Sequence, residues 1–565
     1  MCHRTQGYSP LGDNFCDTEE HAISDVVHNP QSAPAAEHSE HVPSNHTLMW
    51  LAILASIAAA IARLVLIFRL DLIVDEALYY WIGQRTALTL APHPPGVPLL
   101  ARAMTGLFGR TEWAVRLPSF LMMAALPWIV FLLLRRMGAG RLAWWSIFVL
   151  NAIPLYVGFG AVLTPDAPQI FIWSSLLLLS YNALEKPSVS RWGLVGAVFG
   201  IGMAFKYILA LFVPSLLLCM LLVPSWRRQL ASAGPYIAAV VTIAMLAILV
   251  SIAGIESARD ALRYHLQERQ HWSEALDPAN IGIFQLAHLA YISPVLYVIA
   301  IISMFRCGWQ GWRLRDRRLL FAFSFSIVMF LFFAIVSALT GRRLTREHWD
   351  APAYVSALAG GILLLRGGSS ILHRSFVSGV SLGMLITGII IIEATTGAMS
   401  SMAALKPPFS SFRGWRQFSA CIDEQFRTFP SGPKILLTRN FHSLVEYAFY
   451  GGETRELYKL DHKLDPKWGL TGEWRRAGVT WRDLESKPFK TLLFVREDPR
   501  VGPPENAHNR SDDEWLQWLS AAFNSATELP SFDVTENNYV FRRYRVYRGD
   551  GLKDIHQFSS PPDTR

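Results

Sequence analysis

Charge is scarce in this chain. Asp, Glu, Lys and Arg make up 17% of its 565 residues, where soluble globular domains carry about 25%. Cysteine is scarcer still, with five in all and neither a CxxC nor a Cys/His metal spacing, which excludes a disulfide scaffold and a structural zinc site. There is no Walker A loop, no GxGxxG after a strand and no metal triad, so the common nucleotide and metal-hydrolase readings fall away. The long apolar stretches are nearly free of charge, which argues against an ion path through a bilayer.

Apolar residues are abundant. They make up 52% of the chain, mean hydropathy is +0.26, and the surplus lies between residues 48 and 397. This reads as a polytopic helical membrane protein. A span needs about 20 apolar residues. The runs 48–70, 114–134, 142–160, 167–184, 192–205, 207–224, 234–255, 283–305, 319–339, 350–366 and 374–397 give eleven candidates. As one helix, 192–224 would be about 50 Å long, so it is expected to break at Lys206. With the N-terminus inside, the connections Arg135–Arg141, Lys186–Arg191, Arg227–Arg228, Arg306–Arg318 and Arg366–Arg374 are all inside and all basic, as the positive-inside rule requires. The net charge of +8 therefore reads as topology, not as nucleic-acid binding.

The expected organisation is a disordered cytoplasmic tail over 1–46, a transmembrane catalytic domain over 47–397 with an outer loop 71–113, and an extracytoplasmic α/β domain over 398–565. The tail carries six histidines at irregular spacing, which do not read as a metal site. No cleavable signal peptide is expected, because the first apolar run begins near Leu48 and lacks a small-residue cleavage motif. Within the outer loop, Val97–Phe108 is apolar but too short to span and suits a helix in the interface.

Five segments on the outer side could carry chemistry. Asp75-Glu76 follows the first span, where two adjacent carboxylates are costly unless hydrated, paired or at work; the plain alternative is acids favouring a helix start. Pro92-His93-Pro94-Pro95-Gly96 forms a rigid turn that presents His93. Thr164-Pro165-Asp166 precedes a span, where Asp166 is either an N-cap or the second acid of a cavity. Lys206-Tyr207 sits at the break, placed for snorkelling or for a phosphate. Arg342, Arg343, Arg346 and His348, followed by Trp349-Asp350, defy the charge bias on an outer loop, and arginine forks recognise phosphate. A further outer segment holds Arg263, His265, Arg269 and His271 and reads equally well as a surface helix.

These segments, with Arg116-Leu117-Pro118-Ser119 entering the second span and Ala351-Pro352-Ala353-Tyr354 after the fifth, resemble in their order the bacterial GT-C glycosyltransferases of the PMT/ArnT type. The likeness is nearer to the Rgt-type galacturonosyltransferase group, and it covers about 48–495. It implies inverting transfer of a sugar from a polyprenyl-phosphate donor to a hydroxyl or phosphate of an envelope acceptor, lipid A or lipopolysaccharide core among them, at the outer face of a plasma (inner) membrane. It implies Asp75, Glu76 and Asp166 as catalytic acids. Lys206, Arg342, Arg343, Arg346 and His348 are expected at the donor phosphate, and His93, Tyr79 and Tyr207 at the substrate. No bound cofactor is expected, and a divalent-metal requirement is left open. The partners are the lipid-linked donor, a glycolipid, glycan or protein acceptor, and the bilayer. A flippase of lipid-linked sugars and a non-enzymatic anchor are the competing classes. The first predicts charges inside spans; the second predicts that Asp75 and Asp166 tolerate Asn.

Overall fold

The computed structural model describes residues 44–562 except 86–89, 91–92, 266–276, 341–347, 399–408, 430–432, 453–455, 463–464, 466–468, 486–490, 499–511, 537–538 and 560. The tail expected over 1–46 lies almost wholly outside the described residues, as do Arg342, Arg343, Arg346, Arg269 and His271.

The chain opens with helix α1 (Asn45–Arg69). Two short helices, α2 (Val74–Gly83) and α3 (Gly96–Phe108), lead to α4 (Glu112–Arg136). Then come α5 (Trp145–Asn151), α6 (Pro154–Phe159), α7 (Asp166–Glu185), α8 (Val189–Met203), α9 (Phe212–Leu222), the short α10 (Pro224–Arg227), α11 (Ala233–Ala253) and α12 (Ile255–Arg263). The bundle closes with α13 (Ala279–Ile292), α14 (Pro294–Leu314), α15 (Arg317–Thr340), α16 (Ala351–Leu364) and α17 (Ser370–Thr396).

Among the described residues, α1, α4, α11, α14, α15 and α17 are the six helices long and apolar enough to cross a membrane. A seventh arises if Tyr207–Leu222 and Pro224–Ala231, bent by 112°, form one broken span. Eleven spans are expected from the sequence; the other expected runs fall on shorter apolar helices, among them Val189–Met203, Ala279–Ile292 and Ala351–Gly367, and prolines shorten several of them. Pro154 opens α6 and ends the run 142–160 as one helix. Ser293, held at φ 88°, and Pro294 divide 283–305 into α13 and α14. A proline cannot donate to the preceding turn and restricts the residue before it. The break near Lys206 is present: α8 ends at Met203, and a 3₁₀ turn, Tyr207–Leu211, precedes α9.

The outer face of the bundle is apolar. On α11, Val240, Ile243, Ile248 and Ile252 are each more than half exposed, as suits helices whose solvent is lipid. Helix α11 rides on α8 through small residues. A Cβ at Gly196 would strike the Ala238 backbone, and one at Gly234 the Trp192 ring. Close approach through glycine is how helices pack where no hydrophobic effect drives them together.

After the bundle, α18 (Trp415–Arg427), β1 (Ile435–Thr438), α19 (Phe441–Tyr450), β2 (Glu456–Lys459), α20 (Thr471–Ala477), β3 (Thr491–Glu497), α21 (Asp512–Ala522), β4 (Phe523–Glu536) and β5 (Tyr539–Leu552) build a C-terminal layer. Its sheet has the order β2-β1-β3-β5-β4. The β1 strand pairs in parallel with β2 and β3, while β5 is antiparallel to β3 and β4. Helices and a mixed sheet are present, in keeping with the α/β reading of 398–565; the four-residue β2 and the seven-residue α20 are too short to read from the sequence.

This layer sits on the bundle by packing α19 and α20 against α2. Ala77, Leu78, Trp81 and Ile82 share one buried cluster with Leu444, Val445, Leu470 and Trp474. Polar ties reinforce the contact. Leu72 N donates to Tyr450 Oη at 2.8 Å and Trp415 N to Asp71 Oδ2 at 2.9 Å. The Arg413 guanidinium donates to the Glu393 and Ala394 carbonyls, satisfying groups that the last turn of α17 leaves open.

Candidate active site

The first turn of α2 is fixed by a buried ion pair. Glu76 is fully buried and accepts from Arg116 Nε at 2.9 Å, Arg116 Nη2 at 2.7 Å, Leu163 N at 2.8 Å and Ile73 N at 3.1 Å. The other Arg116 N–H groups reach the carbonyls of Ile67, Leu70 and Asp71 at 2.7–3.0 Å. All five guanidinium donors and all four carboxylate lone-pair sites are engaged. The pair therefore stitches the end of α1, the start of α2, α4 and the strand of chain before α7 into one unit. Asp75, one residue earlier, is exposed, because successive helix positions point about 100° apart.

Asp166 is the first residue of α7 but caps nothing. Its Oδ1 accepts from Lys206 Nζ at 2.6 Å, with both side chains buried, and lies 3.7 Å from His348 Nε2. Lys206 Nζ is also 6.0 Å from the centre of the Trp349 ring, within cation–π range. Lys206 reaches this place because the helical ladder is broken: its backbone is extended at φ −157° between α8 and the 3₁₀ turn.

The His-Pro-Pro-Gly turn docks on the same break. Gly96 N donates to Ala204 O at 2.7 Å. A side chain at Gly96 would meet that carbonyl and the Phe205 ring, so glycine is required for the approach. His93 is half-buried and stands edge-on to Tyr79 at 6.1 Å. Tyr79 itself is buried. Tyr207 donates to Leu90 O at 2.9 Å, and Leu90 N donates to Ser257 Oγ at 2.8 Å. Leu90, ahead of α3, is thus tied both to the break and to α12.

Five segments spread over some 270 residues of sequence therefore touch one another. Glu76 joins the first to the third, Tyr79 and His93 join the first to the second, and Gly96 joins the second to the fourth. Asp166 joins the third to the fourth and fifth. Arg342, Arg343 and Arg346 belong to the stretch entering this cluster at His348 but lie outside the described residues. Among the described residues no group of three His, Cys, Asp or Glu side chains is arranged to hold a metal ion.

Sequence reasoning missed the support beneath His348-Trp349. Asp350, fully buried, is bound by His288 Nε2 at 2.8 Å and by Tyr354 Oη at 2.8 Å. His288 Nδ1 faces Phe284 O at 3.0 Å; a carbonyl only accepts, so Nδ1 carries a proton. A lone histidine in the apolar run of α13 was the available signal. Also missed was Glu446 of α19, which is fully buried with neither carboxylate oxygen hydrogen-bonded among the described residues. Burial, then the nearby Asp71 carboxylate, holds its carboxyl well above the usual range. Asp71 is likewise pushed up by burial, against the pull of Arg416.

Residues 92–252 match the family described as dolichyl-phosphate-mannose-protein mannosyltransferase. Lipid A galacturonosyltransferase RgtD of Rhizobium johnstonii is 25% identical over 324 residues, covering 56% of this chain and 64% of that protein. An undecaprenyl phosphate-alpha-4-amino-4-deoxy-L-arabinose arabinosyl transferase of Pseudomonas fluorescens is 26% identical over 245 residues, 37% of this chain and 42% of that protein. The chain spans 42–64% of the length of the curated relatives it matches. The crystal structure of ArnT from Cupriavidus metallidurans bound to undecaprenyl phosphate superposes with a TM-score of 0.60 at 16% identity, over 88% of this chain and 98% of that one. The resemblance read from the ordered motifs is thereby borne out: the chain has the GT-C fold of ArnT and is similar in sequence to glycosyltransferases of the PMT/ArnT type.

Proposed function

We propose that this chain is an inverting glycosyltransferase that moves a sugar from a polyprenyl-phosphate donor to a hydroxyl or phosphate of an envelope acceptor, lipid A or lipopolysaccharide core foremost. The observation that carries the reading is the meeting of five distant polar segments around the buried Asp166–Lys206 pair, with an exposed acid, Asp75, adjoining Glu76 in the first of them. The names of the sequence relatives support the same chemistry.

Asp75 takes the proton of the acceptor O–H as the acceptor oxygen bonds to the anomeric carbon. The bond from that carbon to the donor phosphate breaks on the opposite face, which inverts the centre. A polyprenyl phosphate leaves with one more negative charge. Preorganised cations aimed at such a developing charge supply several kcal/mol. Lys206, held by Asp166, and His348 are our candidates within the cluster, joined by Arg342, Arg343 and Arg346. Glu76 serves by position: with every lone pair occupied, it holds Asp75 in place through Arg116. His93, Tyr79 and Tyr207 are our candidates for contacting the substrate, and Tyr79 stands edge-on to His93.

In the proposed topology the N-terminus is cytoplasmic and residues 398–565 form an extracytoplasmic α/β domain over the catalytic 47–397. The test is mass spectrometry of lipid A, core oligosaccharide and polyprenyl-phosphate sugars in a deletion strain complemented with wild type or Asp75→Asn. The expected result is one sugar mass lost from a glycolipid, with its donor accumulating, rescued by wild type alone. Full rescue by Asp75→Asn removes Asp75 from the mechanism. Unchanged glycolipid and donor profiles on deletion overturn the transferase reading.

A further inference from the structure

At the end of α7 opposite Asp166, about 30 Å away by helix rise, a cavity of about 420 Å³ opens between α4, α7 and α8. Its lining includes Arg136, Lys186 and Arg191, with Leu179 and Leu194. Each of the three helices contributes one cation at its end. Arg136 is the last residue of α4, Lys186 follows α7, and Arg191 lies in the first turn of α8. Glu185 is the carboxylate in the lining, and it is paired with Arg317 of α15 at 2.9 Å. Arg136 and Lys186 have no carboxylate partner among the described residues, and Arg191 donates to the Lys186 carbonyl. The lining therefore carries three cations against one carboxylate, an excess of about two positive charges, and that carboxylate is already paired with Arg317.

The apolar part of the lining is placed by the same helices. Leu194 is one turn deeper into the bundle than Arg191, and Leu179 two turns deeper than Lys186. Leu194 is 48% exposed. A cationic mouth above a leucine wall matches an amphiphile with an anionic head. Cations that only snorkel line the rim of a bundle separately; here three converge on one hollow of the size that holds small ligands. We infer that this cavity binds the phosphate headgroup of an anionic phospholipid in the leaflet opposite the proposed transfer site, with an acyl chain along Leu179 and Leu194. Basic pockets between membrane helices take such headgroups, and arginine forks suit phosphate oxygens.

The test uses the full-length chain, delipidated in detergent and titrated with cardiolipin, phosphatidylglycerol or phosphatidylcholine under native mass spectrometry. One anionic lipid is expected to be retained in preference to phosphatidylcholine. The variant R136A/K186A/R191A is expected to bind it on the order of a hundredfold more weakly, while R313A, a basic residue that does not line the cavity, retains it. If the triple variant does not fold, K186Q is read in the same titration, with a loss of about fivefold expected. Equal retention by wild type and variants overturns the inference, as does equal binding of phosphatidylcholine. Displacement of the lipid by excess inorganic phosphate overturns it in favour of a free-phosphate site.

Discussion

At the scale of the residue, two neighbouring carboxylates have opposite fates. Asp75 is exposed, while Glu76 fills every acceptor position against Arg116, Leu163 and Ile73. Removing one partner of a buried, hydrogen-bonded ion pair costs about 3–5 kcal/mol. Glu76→Gln is therefore expected to lower the yield and thermal stability of the folded protein, and Arg116→Ala to do so more strongly. Asp75→Asn is expected to leave both unchanged. Size-exclusion and thermal-unfolding profiles of the three purified variants check this; equal stability of Glu76→Gln and wild type refutes the structural role. The sequence made the acids visible but not this division of labour, because Arg116 lies 40 residues from Glu76. Its own signal was an arginine inside an apolar run, which in a bilayer needs a partner. Asp166 tells the same lesson. Its position before a helix suggested a cap, and only the pairing with Lys206 at 2.6 Å separates the two readings.

At the scale of the element, α19 carries two titratable groups of opposite tendency, the buried Glu446 and the half-buried His442. Burial and the Asp71 carboxylate raise the Glu446 carboxyl well above its usual value. Burial, with His462 and Arg542, brings His442 down to about 4. A carboxyl whose folded pKa is raised stabilises fully below its unfolded value, about 4.3, and loses that stability as pH rises toward the folded value. A depressed histidine stabilises above about 6.5 and loses that stability as pH falls through 4. Between those limits the two slopes oppose each other, and the Asp71 carboxyl, also raised, adds to the Glu446 slope. As pH rises above about 4.3 the Glu446 contribution to wild-type stability is expected to decline, and Glu446→Gln to flatten the profile. Thermal unfolding of both proteins from about pH 4 to 9 measures it; parallel profiles exclude a raised Glu446. Nothing in the period of the sequence marked Glu446, since a glutamate in an amphipathic helix reads as solvated until its neighbours are known. Element boundaries were more legible. Lys206 marked a real break, whereas Pro154 and Pro294 divide apolar runs that read as single helices. Hydropathy registers burial against protein and burial against lipid alike, and the residues of α16 are nearly all buried inside the bundle.

At the scale of the whole molecule, α7 links two surfaces of different character. Its first residue enters the acidic and basic cluster beneath the C-terminal layer, and its last turn enters the basic cavity. The order of the motifs and the α/β pattern were legible in the sequence because both are local. How the C-terminal layer meets the bundle was not, because it rests on contacts between residues more than 300 positions apart, such as Leu72 with Tyr450 and Asp71 with Trp415. Those contacts put the layer on the same face as α2. The basic connections Arg135–Arg141 and Lys186–Arg191 lie at the other ends of α4 and α7. The positive-inside bias then orients the whole: the connections are expected in the cytoplasm and the layer outside. Alkaline phosphatase fused after Leu552 is expected to be active and a fluorescent reporter there dark, with the reverse for insertions between Lys186 and Arg191. Cytoplasmic activity at both positions contradicts the orientation. Because α2 and the layer share one buried cluster, it also moves Asp75 to the cytoplasmic side, away from any acceptor in the outer leaflet.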